Sequence, residues 1–135
     1  MKILIIDDDA DIRSIARLSL SRVGGMDVIE AGSGVEGVRK AQDERPDVIL
    51  LDMMMPTMDG LETLAALRSR PATASTPVIF LTAKAVGDQV EHMMSLGAAG
   101  VLSKPFDPRT LPQDVRACVK KLVPSRTVRT WPTAR

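Results

Sequence analysis

Three aspartates in succession, Asp7, Asp8 and Asp9, follow the apolar run Ile3-Leu4-Ile5-Ile6, and Asp52 follows Val48-Ile49-Leu50-Leu51. A third apolar run, Val78-Ile79-Phe80-Leu81, ends on the hydroxyl of Thr82. A shorter one, Gly100-Val101-Leu102, leads to Lys104 and Pro105. In an open parallel sheet, ligands collect outside the carboxyl ends of the strands, so these acids, the hydroxyl and the ammonium would share one edge. Crowded carboxylates repel, and a hard cation of the Mg2+ type relieves the repulsion through oxygen ligands. Asp52 then suits a nucleophile toward phosphorus that forms an aspartyl-phosphate, with the metal bridging carboxylate and phosphoryl oxygens. Lys104 and Thr82 would satisfy the other oxygens of the transferring group.

Each residue also has a plainer use. Asp before a helix is a common N-cap, which accounts for one of the three acids but not for all of them. Asp9 is therefore assigned the cap of the first helix, and Asp7 and Asp8 the metal. Asp52 alone would be a surface acid, Thr82 a strand residue and Lys104 an exposed charge. Their combination lifts them.

The elements that must hold these residues follow from hydrophobic spacing. The runs at 3–6, 48–51 and 78–81 are continuous and rich in β-branched residues, as strands buried on both faces are. Asp27-Val28-Ile29-Glu30 and Gly100-Val101-Leu102 are weaker strands. Between them, Ile12, Ile15, Ala16 and Val23 share one helical face ending near Gly24-Gly25, and Ser33 to Glu36 reads as a capping box for a second helix through Val38 and Ala41. Leu61, Leu64 and Leu67 mark a third helix that Asp59 caps. Val90, Met93 and Met94 mark a fourth closed by Gly97, and Leu111, Val115, Cys118 and Leu122 a fifth. Five βα units sharing one sheet make a doubly wound parallel α/β fold with five strands and five helices.

The chain has 135 residues, 44% hydrophobic and 26% charged, with a formal net charge of +1, which is ordinary for one globular domain and offers no global field for nucleic acid. Its apolar N-terminal run is too short for a signal peptide or a membrane span, and a single cysteine fits the cytoplasm. The domain is expected over 1–123, followed by a basic tail at 124–135 whose arginines meet no acid. Met53, Met54, Met55 and Met58 are expected to serve packing and loop contacts, because no Cys or His accompanies them as a soft metal ligand would. His92 is expected in solvent.

Four segments together resemble the receiver domain of bacterial two-component response regulators, the CheY-like family. They are Ile-Leu-Ile-Ile-Asp-Asp-Asp at 3–9, Val-Ile-Leu-Leu-Asp-Met-Met-Met-Pro-Thr-Met-Asp-Gly at 48–60, Phe-Leu-Thr-Ala at 80–83 and Gly-Ala-Ala-Gly-Val-Leu-Ser-Lys-Pro-Phe at 97–106. The resemblance spans about residues 2–122 and implies the flavodoxin-like strand order 2-1-3-4-5. It implies that Asp52 accepts a phosphoryl group from a histidine kinase or histidine phosphotransfer protein, with Mg2+ or Mn2+ as cofactor. Asp8 then looks like the direct metal ligand and Asp7 a ligand through water, with the main-chain carbonyl of Met54 a further ligand beside Asp52. Thr82 resembles the switch hydroxyl, and Lys104 the phosphate-pairing lysine before a cis bond to Pro105. Val101 departs from the pattern, since the family often has Tyr or Phe there.

A receiver of this kind is a regulator rather than an enzyme, one that assists its own phosphorylation and dephosphorylation, with an unidentified downstream protein and neither nucleic acid nor membrane as partner. Two other functions use the same fold or chemistry. An aspartyl-phosphate phosphohydrolase would want a second Asp at position 54, where Met stands. A phosphorylation-independent interaction module would not need all five pocket side chains.

Overall fold

The computed structural model describes residues 1–83 and 87–120. Five strands, β1 (Lys2–Ile6), β2 (Asp27–Ala31), β3 (Val48–Asp52), β4 (Val78–Thr82) and β5 (Gly100–Ser103), form one parallel sheet in the order β2-β1-β3-β4-β5. Five helices cover it: α1 (Ala10–Leu18), α2 (Gly34–Glu44), α3 (Gly60–Arg68), α4 (Gly87–Ser95) and α5 (Leu111–Lys120). Lys84, Leu122 and the tail at 124–135 lie outside the described residues.

The period of two along each strand splits the core into two layers. Leu4, Ile6, Ile49, Leu51, Val78, Phe80 and Val101 face α2, α3 and α4. Ile3, Ile5, Val48, Leu50, Ile79, Leu81 and Leu102 face α1 and α5. The central strands β1, β3 and β4 are buried on both faces, as their continuous apolar runs require. β2, at the sheet edge, keeps only Ala31 fully buried, which explains its weak sequence signal.

The first helix departs from expectation. After Leu18 the chain widens into a π-helical turn, Ser19–Val23, and the added residue shifts the phase of the apolar stripe. Ala16, Ser19 and Leu20 are buried, whereas Ile15 is 44% and Val23 63% exposed. The capping box at α2 is also altered. Ser33 Oγ accepts from the Glu36 amide at 3.1 Å, but the Glu36 carboxylate reaches one residue further back, to the Gly32 amide at 2.8 Å. The complete box is at α3, where Asp59 and Glu62 each accept from the other's amide. Gly97, at φ 99°, follows α4 in the left-handed region, as its place after the helix predicts.

The loop from Met53 to Asp59 contains a tight three-residue turn. The Met58 amide donates to the Pro56 carbonyl at 2.7 Å, with Thr57 between them at φ 69°. That region costs a residue bearing a Cβ roughly 1–2 kcal/mol, and glycine loses about 0.5–1 kcal/mol of that advantage through backbone entropy. Thr57→Gly is therefore expected to stabilise the domain by up to about 1 kcal/mol, raising the melting midpoint by roughly 3 °C. Calorimetry checks this, and an unchanged or lowered midpoint contradicts it.

Candidate functional site

Strand parity brings the charged residues together. Asp7 continues the Ile3-Ile5 row and Asp52 the Val48-Leu50 row, both on the α1/α5 face of neighbouring strands. The Asp7 amide extends the β1–β2 ladder to the Ala31 carbonyl at 3.1 Å, so the row persists beyond Ile6. Oxygens of Asp7, Asp8 and Asp52 lie within 4.8 Å of one another. Asp7 is fully buried and Asp52 is 3% exposed, while Asp8 faces solvent.

Lys104 Nζ closes the cluster. It donates to Asp52 Oδ1 at 3.0 Å and stands 3.2 Å from Asp7 Oδ2, close enough for an ion pair but not aligned as a hydrogen bond. Asp7 Oδ2 is thus a buried oxygen that accepts no hydrogen bond among the described residues. The Lys104 ammonium beside it offsets part of the cost of burying that oxygen and leaves its lone pairs open to a further cation or to solvent. Three carboxylates around an orphaned oxygen are an all-oxygen donor set, and they fit a hard divalent cation.

The electrostatics follow from burial and crowding. Burial raises the Asp52 pKa above its ordinary value and the Asp7 charge adds to this, while the Lys104 hydrogen bond pulls the other way. Burial works against the Lys104 charge as well, yet the hydrogen bond to Asp52 and the two carboxylate charges hold its pKa above the usual lysine range. A cation among the acids would cancel the repulsion that Asp7 exerts on Asp52.

Local structure fixes these positions. Asp9 caps α1 as expected, its carboxylate accepting from the Asp11 and Ile12 amides at 2.9 and 3.3 Å. Its own amide donates to Asp7 Oδ1 at 2.9 Å. Gly60 starts α3 against the end of β3, and a Cβ there would stand 2.7 Å from the Asp52 carbonyl oxygen and 2.8 Å from Met53 Cα. The Gly60 amide donates to the Met53 carbonyl at 2.9 Å, so only glycine lets the loop close this tightly over Asp52. Thr82 ends β4 opposite Ser103 and is nearly buried, and its carbonyl accepts from the Lys104 amide at 2.9 Å. The peptide bond between Lys104 and Pro105 is cis.

Two features were not evident in the sequence. Arg13 Nη1 donates to the Asp7 carbonyl at 2.7 Å, and its Nε pairs with Glu30 at 3.1 Å, tying α1 and β2 to the acidic turn. Its position one helical turn after Asp9 was the available signal. The methionines also divide. Met55 is buried and Met53 and Met58 pack on the core, as expected, but Met54 is 75% exposed and contributes little packing. Met54 instead lines a groove of about 550 Å³ with Met53, Thr82, Ala83, His92 and Met93. His92, exposed as expected, thus accompanies the methionines in space although not in sequence.

Residues 3–116 match the family model of the response regulator receiver domain. The chain belongs to the response regulator receiver family. It is 36% identical to protein PilG of Pseudomonas aeruginosa over 125 residues, covering 92% of this chain and 91% of that protein. It is 38% identical to the alkaline phosphatase synthesis transcriptional regulatory protein PhoP of Bacillus subtilis over 120 residues. That alignment covers 89% of this chain, which spans about half the relative's length, 49%. The chemotaxis response regulator CheY4 of Vibrio cholerae superposes with a TM-score of 0.80 at 35% identity, covering 87% of this chain and 97% of that one. The strand order is the flavodoxin-like order of these receivers. Receiver domains of two-component systems serve phosphorelay signalling as regulators rather than enzymes, and they interact with histidine kinases or phosphotransfer proteins. No helix among the described residues is long and apolar enough to cross a membrane.

Proposed function

We propose that Asp52 is the phosphoacceptor of this receiver, taking a phosphoryl group from a phosphohistidine on a histidine kinase or phosphotransfer protein in the cytoplasm. The observation that carries the reading is Lys104 set between Asp52 and the orphaned oxygen of Asp7 at the sheet edge. Mg2+ or Mn2+ would be held by Asp8, Asp52 and the Met54 main-chain carbonyl, with Asp7 acting through water. Bound there, the cation supplies charge neutralisation for the incoming phosphoryl oxygens. Asp52 attacks phosphorus, Lys104 pairs with a phosphoryl oxygen and the Thr82 hydroxyl donates to another. The domain at 1–123 thereby assists its own phosphorylation. Acetyl phosphate with Mg2+ should add one phosphoryl mass to the intact chain, and chelation by EDTA should prevent it. Uptake that persists in EDTA, or no uptake at all, overturns the reading.

The response to phosphorylation has no aromatic rotor to use. Val101 is buried on the same sheet face as Thr82, opposite Phe80 in register. A valine has few rotamers and a short reach, so the volume that Thr82 vacates on moving toward the phosphoryl group must be filled mainly by backbone shifts. Thr82→Ala should remove most phosphorylation-dependent amide shift changes from Gly87 to Val101, whereas Val101→Ala should leave most of them. Equal loss in both variants would make the valine a full switch element and contradict this coupling.

A further inference from the structure

Met54 stands apart from the other methionines. The residue is 75% exposed, against 47% for Met1 at the chain terminus, while Met26, Met55 and Met93 are buried. Met53, Met58 and Met94 are partly covered against the core. The Met54 amide also faces Asp52 Oδ1, at 3.4 Å, and the side chain lines the groove that Thr82 and Ala83 share. The most exposed methionine of the described residues is therefore two residues from Asp52, on the solvent side of the acidic pocket. Methionine oxidation follows exposure, so a fold that wholly or partly covers the other methionines beyond Met1 presents this one.

Resting on the proposed role of Asp52, we propose that Met54 is a site of oxidation by hydrogen peroxide that shortens the life of the phosphoryl group. A lone pair on the sulfur attacks one peroxide oxygen, forming the S–O bond as the O–O bond breaks. The departing hydroxide takes up the proton of the transferred hydroxyl, so the thioether is oxidised by two electrons and peroxide is reduced to water. The product changes the chemistry at the pocket mouth. A thioether is a weak hydrogen-bond acceptor, whereas the sulfoxide oxygen is a strong one and is held on the same flexible stem. Asp7 and Asp52 are buried at the strand end, so a hydrolytic water approaches phosphorus from the open side that Met54 flanks. An acceptor dipole there orders water that a thioether leaves loosely held, and hydrolysis quickens.

The test uses the full chain, treated with graded hydrogen peroxide and mapped by peptide mass, then loaded with acetyl phosphate and Mg2+. After the donor is removed, loss of the phosphoryl mass is timed. Met54 should oxidise ahead of Met26, Met55 and Met93, and the phosphoryl half-life should fall at least about threefold, a modest change in the cost of ordering one water. Met54→Leu, compared with itself before and after peroxide, should show no change in half-life. Met54→Gln, which carries a permanent carbonyl dipole, should show a shortened half-life without peroxide. Oxidation of the buried methionines first, or an unchanged half-life once Met54 is oxidised, overturns this inference alone. Failure of the untreated chain to load overturns the receiver reading and this inference with it.

Discussion

Asp52→Asn should take up no phosphoryl group from acetyl phosphate and Mg2+, yet should be more stable than the parent chain in metal-free buffer at neutral pH. Both effects come from the same carboxylate. An amide oxygen is a poor nucleophile and carries no charge, so the transfer step is lost outright. In the folded chain, burial and the nearby Asp7 raise the Asp52 pKa above its ordinary value. A raised folded pKa means that Asp52 favours folding when protonated and that this favour is lost as pH rises through the folded pKa. At neutral pH the ionised group is therefore a liability, which asparagine removes while Lys104 keeps Asp7 as partner. The gain comes first from relief of the burial penalty on the ionised carboxylate and then from the lost Asp7 repulsion, and the weakened bond to Lys104 offsets part of it. It should shrink as pH falls from the raised folded pKa toward the ordinary carboxylate value, where the parent chain's Asp52 also becomes neutral. Saturating Mg2+ should reverse the order, because the metal stabilises only the chain that binds it well. Chemical denaturation at several pH values checks this, and an Asp52→Asn variant less stable than the parent in metal-free buffer at neutral pH contradicts it.

Asp8→Ala and Asp9→Ala should fail in opposite ways although they are neighbours. Asp8 offers an oxygen to the acidic cluster from the solvent side, whereas Asp9 turns its carboxylate to the first amides of α1. Loss of a partner that merely orients a ligand costs about 10–100-fold in metal affinity, so loss of a direct ligand should cost at least about 100-fold. Asp8→Ala should otherwise fold normally, since it removes one member of a repelling cluster. Asp9→Ala should keep Mg2+ affinity within a few-fold, because the amide that holds Asp7 Oδ1 belongs to the backbone. It should lose about 0.5–2 kcal/mol of stability through the missing cap. Calorimetric Mg2+ titration together with melting of both variants decides the matter, and equal metal affinities would refute the division of roles.

What was legible in the sequence, and what was not, divides along physical lines. β1, β3 and β4 announce themselves because strands covered on both faces must be apolar at every position. The acids, Thr82 and Lys104 are legible because each terminates such a run, and parity then fixes the face. The Asp9 and Asp59 caps follow from local chemistry alone. The exposure of Val23 does not, since a π-helical turn depends on how the helix meets the neighbouring elements, and spacing rules assume a constant 3.6-residue period. Glu36 likewise satisfies Gly32 rather than Ser33, a choice between two adjacent amides that residue types do not distinguish. Arg13 on the Asp7 carbonyl is a contact across six residues whose one local signal is its place a turn after Asp9, whereas His92 lines a groove with Met53 and Met54 through packing between elements distant in the chain. Tertiary contacts of that kind leave no periodic trace.

The most direct test of the central claim is to locate the phosphoryl group by chemistry rather than by loss of function. Borohydride reduces an acyl phosphate to an alcohol, so the phosphorylated chain should yield homoserine in place of one aspartate. Peptide sequencing should find that homoserine at position 52 and nowhere else, and only after loading in the presence of Mg2+. Homoserine at Asp7, Asp8 or any other position, or a phosphoryl group that resists borohydride on a chain loaded to one equivalent, would contradict Asp52 as the acceptor.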